Sequence, residues 1–198
     1  MIELYEFALS GNCHKVRLML SFLELDYKSK LVNGSAREHK SSKFLAMNPL
    51  GQLPTLKDND ITIRDSQAIL IYLAHRYGGD QWWPKSSEAL AKIAAWLFTV
   101  SNEIARGPNA LRLHHKFGRQ INIEDAQAVT ETILNIMEEY LSNHDWIALD
   151  VPTIADVALY PYIALAHEGK VDLSRFPSVV AWLARFKALP RYVSMPGM

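Results

Sequence analysis

Cysteine is almost missing: the lone Cys13 among 198 residues excludes an internal disulfide and any cysteine-rich metal site, and it fits a reducing compartment. Net charge is missing too. Twenty-one Lys and Arg balance 21 Asp and Glu, which removes the electrostatic case for a nucleic-acid or anionic-membrane partner. No run of 18 apolar residues is available to span a bilayer, and Met1 to Phe7 carries Glu3 and Glu6 with no basic stretch, unlike a secretory signal. There is no internal repeat, no low-complexity tract and no HExxH pattern. His114 and His115 are adjacent rather than one helical turn apart, so no metal is expected. Gly78-Gly79 reads as a helix stop rather than a phosphate loop, and Trp82-Trp83 lacks the basic stripe of a base-stacking platform. What remains is a soluble, cytoplasmic protein without a cofactor, its 49% hydrophobic content sufficient for a core.

The residues that are present fall into two halves. Ile2 to Phe7 is rich in branched and aromatic residues and reads as a strand, which Ser10-Gly11-Asn12 breaks. From Cys13 to Leu23, apolar residues at 13, 16, 20 and 23 have helical spacing, with Lys15 and Arg17 on the wet side. Tyr27 to Val32 reads as a second strand, 34–43 as a loop, and Phe44 to Met47 as a helical turn stopped by Pro49. Leu53 to Lys57 and Ile61 to Arg64, around Asp58-Asn59-Asp60, form a hairpin, and Gln67 to Tyr77 a helix ended by Gly78 and Gly79. The order is β-α-β-α-β-β-α over 1–79. Residues 80–85 compose a linker that Trp82 and Trp83 pack down, and 86–198 reads as all helix. Its stripes are Leu90, Ile93, Leu97, Val100 and Ile104, then Ala126, Val129, Ile133, Ile136, Met137 and Tyr140 behind an Asn122 and Asp125 cap. Thr153 to Asp156 is a capping box that opens an apolar run, and 178–187 is a last helix burying Val179, Trp182, Leu183 and Phe186.

The stretch Asn48-Pro49-Leu50-Gly51-Gln52-Leu53-Pro54, followed by the hairpin and Asp65-Ser66, carries the functional signal. Pro54 belongs at a strand start or edge, and the preceding X-Pro bond is where a cis peptide is accessible. Leu53 would then turn its backbone outward, beside a helix start capped by Asp65 or Ser66 that can hold a carboxylate. Such an arrangement suits a short peptide ligand.

With Ser10 ahead of Lys15-Val16-Arg17, then His39-Lys40, Phe44-Leu45, the Asn48 to Pro54 stretch, Asp65-Ser66 and the Thr153 to Asp156 box, the whole chain resembles the cytosolic glutathione transferases. The pattern is most similar to serine-type members such as the theta and phi classes, in a bacterial style. The resemblance implies a thioredoxin-like N-terminal domain, an all-helical second domain that supplies an electrophile pocket, and a homodimer. Ser10 matches the serine that hydrogen-bonds the glutathione sulfur. Leu53, before the cis Pro54, matches the residue whose backbone pairs with the cysteinyl part. Asp65 and Ser66 match the pair that holds the γ-glutamyl group, with Asp in place of the commoner Glu. His39, Lys40 and Gln52 match residues around the glycyl end. The expected electrophile pocket takes Leu9, Ser101, Arg106 and Leu111 from the first loop and the 101–111 helix.

Each residue alone has a plainer reading: Ser10 and Asp65-Ser66 as helix caps, Pro54 as a strand-edge breaker, His39 and Lys40 as a solvated loop. Their order and spacing favour a transferase that activates the glutathione thiolate against small hydrophobic electrophiles. Two alternatives stand beside it. One is a glutathione-fold binding or regulatory protein without turnover. The other is a thiol transferase using Cys13, because Ser10-Gly11-Asn12-Cys13 has the spacing of a redoxin Cys-x-x-Cys, and a thiol in a first helical turn has a depressed pKa.

Overall fold

The computed structural model describes all residues, 1–198. The first half contains β1 (Ile2–Glu6), α1 (Gly11–Phe22), β2 (Tyr27–Leu31), a 3₁₀ turn (Glu38–Lys40), α2 (Ser42–Leu45), β3 (Thr55–Asp58), β4 (Ile61–Arg64) and α3 (Ser66–Tyr77). The sheet order is β2-β1-β3-β4, with β1 parallel to β2 and antiparallel to β3, and Leu4 opposite Leu56. Alternation in β1 buries Ile2, Leu4 and Glu6 on one face, the period-two pattern of a strand covered on that side. The buried Glu6 accepts from Arg17 and from Ser29 Oγ at 2.6 Å.

The second half holds α4 (Gly79–Trp82), α5 (Ser87–Thr99), a π turn (Val100–Ile104), α6 (Pro108–Phe117), α7 (Ile123–Leu141), α8 (Ile154–Ala164), a 3₁₀ turn (Ala166–Gly169) and α9 (Pro177–Lys187). This is a thioredoxin-like domain followed by an all-helical one. The stretch read as a linker includes α4, where Trp82 is buried and stacks on Phe22 at 5.5 Å.

Helix α8 runs through the shared core. Residues 154–163 are all buried, so this helix is apolar all round, as its position requires. Its start is fixed by the capping box: Asp156 Oδ2 accepts from Thr153 N at 2.8 Å, and Oδ1 accepts from Ile147 N and Trp182 Nε1 at 3.0 Å each. Burial pushes the Asp156 carboxyl up, and these donors oppose the shift.

Three sequence expectations are corrected. Lys15 is not on the wet side: it is only 1% exposed, because α1 packs against α3 and α8 and the Tyr162 ring of α8 covers that position. In α7, Ile136 is 50% exposed, and the buried stripe is Ala126, Thr130, Ile133, Leu134, Met137 and Leu141. Thr130 can occupy it because its hydroxyl donates back to Ala126 O at 2.7 Å, hiding its polarity. The α2 turn begins at Ser42 rather than Phe44, since Ser41 caps it through Phe44 N at 3.3 Å.

Candidate active site

The loop between β1 and α1 is pinned from both halves of the molecule. Ala8 O accepts from Arg17 Nη2 and Leu9 O from Arg112 Nη2, each at 3.0 Å. Both guanidiniums are themselves anchored, Arg17 on buried Glu6 and Arg112 on Glu168 at 2.6 Å. Ser10 follows as the N-cap of α1, its Oγ accepting from Cys13 N at 3.3 Å. A hydroxyl that accepts there keeps its proton for another partner. Gly11 is required next, since a Cβ would sit 2.8 Å from the Tyr162 ring of α8.

The 48–54 stretch is held by Asn48, whose Nδ2 donates to Gln52 O at 2.8 Å and whose Oδ1 accepts from Leu50 N at 3.1 Å. Gly51 sits at φ +54, and any Cβ there would meet His39 O at 2.6 Å, so glycine is demanded twice over. The Leu53–Pro54 peptide is cis. No backbone hydrogen bond of the protein uses Leu53, which leaves its N–H and C=O open to a ligand.

Asp65, at φ +73, caps α3 by accepting from Gln67 N at 2.9 Å and Ala68 N at 3.3 Å through Oδ1. A non-glycine residue in that region is strained, and such strain gathers at functional sites. Ser66 is buried beside it, and Gln67 Nε2 reaches Ser101 Oγ at 2.7 Å across the domain boundary.

These segments share one cavity of about 700 Å³, within the range of ligand sites. Ser10, His39, Lys40, Gln52, Leu53, Pro54, Asp65, Ser66 and Ser101 line it. Leu9, Arg106 and Leu111 do not. Leu9 is 37% exposed with its carbonyl taken by Arg112, Arg106 pairs with Asp125 at 3.2 Å, and Leu111 is buried against the Gly169 turn. The helical wall is instead Val100, Ser101, Ala105, Asn109 and Leu113, completed by Tyr162. Sequence reasoning missed Asn12, Gln67, Asn109 and Tyr162; the four-residue spacing of 101, 105, 109 and 113 is a usable signal, but its mixed polarity hides it.

Electrostatics separate the candidates. Burial pushes the Cys13 thiol up to about 11, outweighing the Ser10 and Phe7 hydrogen bonds that lower it. The expected depressed Cys13 pKa is thereby overturned, because desolvation of the fully buried thiolate outweighs the helix start. Burial, then Lys40 and Arg37, lower the His39 pKa, and its Nδ1 has no partner. Lys40 Nζ donates to Leu50 O at 2.9 Å.

The comparisons agree with this geometry. The N-terminal domain of glutathione S-transferases matches residues 4–81, and the C-terminal domain matches 88–190. A glutathione S-transferase structure from Xanthobacter autotrophicus Py2 superposes with a TM-score of 0.92 at 30% identity, covering 100% of this chain and 98% of that one. A glutathione transferase homolog from Drosophila mojavensis, solved with bound glutathione, gives 0.87 at 28% identity over 96% of this chain and 88% of that one. The disulfide-bond oxidoreductase YfcG of Escherichia coli K12 is 28% identical over 203 residues, 96% of this chain and 92% of that protein. Two matched domains in the family's order, on a fold shared along the full chain, make this protein a member of the glutathione S-transferase family.

Proposed function

We propose that the chain is a serine-type glutathione transferase that attacks small hydrophobic electrophiles with the glutathione sulfur. One observation carries the reading: Ser10, Leu53, Asp65 and Ser66 line a single cavity whose opposite wall comes from the helical domain. Residues 1–79 would hold glutathione, 80–85 join the halves, and 86–198 supply the electrophile side. The relative with bound glutathione supports the ligand class.

In this reading Asp65 and Ser66 take the γ-glutamyl end, the open Leu53 backbone pairs with the cysteinyl part, and His39, Lys40 and Gln52 face the glycyl carboxylate. Ser10 donates its free proton to the sulfur. A free thiol near pKa 8.5 is about 3% ionised at pH 7, and a depression of about two units makes roughly three-quarters of it thiolate. That depression corresponds to about 2.7 kcal/mol, within reach of one hydroxyl donor to an anion, worth about 1.5–3 kcal/mol, at a helix N-terminus. The lower basicity reduces intrinsic nucleophilicity about 8-fold, so ionisation alone gains only about threefold. Positioning against the apolar wall at Val100, Ala105 and Leu113 supplies the rest. The sulfur lone pair forms the new S–C bond, and the leaving group departs with the electrons of the bond it loses.

Retention on immobilised glutathione, followed by conjugation of a chloronitrobenzene, tests the reading. Binding without turnover across a broad electrophile panel would overturn it in favour of a non-catalytic binding protein. A second reading, reduction of small disulfides by glutathione, is favoured by the likeness to the E. coli oxidoreductase. It places a disulfide sulfur where the electrophilic carbon would sit: the glutathione sulfur attacks it, the S–S bond breaks to release one thiolate, and a second glutathione displaces the other from the mixed disulfide, while buried Cys13 takes no part. Turnover of a small disulfide exceeding that of every carbon electrophile would favour it.

A further inference from the structure

Lys15 is the one lysine of α1, and its ammonium is enclosed. Its Nζ makes one hydrogen bond, to Asn12 Oδ1 at 2.7 Å, and lies 5.1 Å from the centre of the Tyr162 ring. No carboxylate lies within ion-pair distance. An apolar side chain of similar length fills a buried site at lower cost than a desolvated ammonium, so packing alone gives no reason for a lysine here.

Its partner does give one. Ser66 Oγ lies 3.3 Å from the same Asn12 oxygen, with its single proton directed to the nearer Gln67 Oε1, and both Asn12 and Ser66 line the cavity. An ammonium can only donate. In that charged form Lys15 fixes which end of the Asn12 amide is oxygen, and the NH₂ end, which no hydrogen bond within the protein uses, is left for the cavity. One buried cation thus orients the Asn12 amide beside Ser66, at the end where α3 begins.

We propose that Lys15 is a positioning residue for the γ-glutamyl end of the ligand: once charged, it presents, through Asn12, an amide donor beside Ser66 to the ligand's α-carboxylate. This rests on the transferase reading above. The charged and titratable groups around Lys15 are Asp65 from the start of α3, Cys13 on its own helix, and Tyr162 from α8, with Arg112 of α6 beside that tyrosine. Burial pushes both Cys13 and Tyr162 up, so neither is an anion at neutral pH. Burial also lowers Lys15 to about 7, against the pull of Asp65 and Cys13. The unliganded protein near pH 8 therefore holds Lys15 mostly neutral, and an arriving carboxylate draws a proton onto it.

Calorimetry with S-methylglutathione tests this, because that ligand has no thiol to release a proton of its own. Titrations near pH 8 in phosphate and in Tris, whose ionisation enthalpies differ, report proton uptake. The wild-type protein should take up about 0.9 proton per ligand, the difference expected near pH 8 when a group titrating near 7 is driven to its charged form. Lys15→Met should abolish that uptake and weaken binding about tenfold. Asn12→Ala should weaken binding similarly. Failure of S-methylglutathione to bind the wild-type protein would overturn the transferase reading itself. Binding without uptake by the wild-type protein would overturn the role of Lys15 whether or not the variants fold, as would an uptake unchanged in Lys15→Met.

Discussion

A hydroxyl that caps a helix and one that steadies a thiolate use different parts of the same oxygen, so Ser10 can do both. Its lone pair takes Cys13 N–H, and its proton remains for the sulfur. Ser10→Ala should cut turnover roughly ten- to a hundredfold and move the activity midpoint to higher pH, with glutathione affinity little changed. It should also cost about 1 kcal/mol of stability through the lost cap, a separate loss read in urea unfolding. Cys13→Ala should leave turnover nearly unchanged, since the thiol is buried and its pKa is raised; a wild-type glutathione adduct seen by intact mass would contradict this. Asp65→Ala should weaken glutathione far more than an apolar product analogue. Equal losses by calorimetry would reduce Asp65 to its capping role.

At the scale of elements, α6 and the Ala166–Gly169 turn are joined by Glu168, which accepts from Arg112 and Lys116. Burial pushes its carboxyl up, and the two cations more than offset this, leaving it below the usual range. The folded chain therefore binds that proton more weakly than the unfolded chain does. The contribution is full above the unfolded value near about 4.3 and is lost as pH falls through the lower folded one. Glu168→Gln should flatten the acid slope of the melting temperature, and an unchanged slope would contradict the assignment. How far elements were legible varies with the strength of their local signals. The Thr153 to Asp156 box could be read directly, because side chains of the right length sit at the right offset, whereas the α3 cap was legible only as Asp65 or Ser66, of which Asp65 is the one used. The α7 stripe drifted to Ile136, because a stripe drawn from apolar residues alone passes over Thr130, whose buried hydroxyl is satisfied inside the helix. Lys15 was misplaced because sequence alone does not reveal that α8 covers this part of α1. The helical wall of the cavity was placed at Leu9, Arg106 and Leu111 rather than at Val100, Ala105 and Leu113, because Gly107-Pro108 marks a break without giving the rotational phase of what surrounds it.

Across the whole molecule, one apolar core runs from Leu4 and Leu56 of the sheet through α8 to Trp182 and Phe186 of α9. The halves are thus fastened together, and the cavity between them inherits that rigidity. On α5, Phe98 is left 74% exposed, an apolar side chain with no partner within the chain. We propose a homodimer; light scattering at micromolar concentration should give about twice the 22.5 kDa chain mass, and a monomer would contradict it. The central claim is that this assembled site lowers the pKa of a bound thiol through Ser10. Its most direct measurement is the ultraviolet thiolate absorbance of bound glutathione, titrated against pH in the wild-type protein and in Ser10→Ala. The midpoint should lie about two units below the free thiol's value near 8.5 in the wild-type protein and return toward that value in the variant; a wild-type midpoint at the free value, or the same midpoint in both proteins, would contradict it.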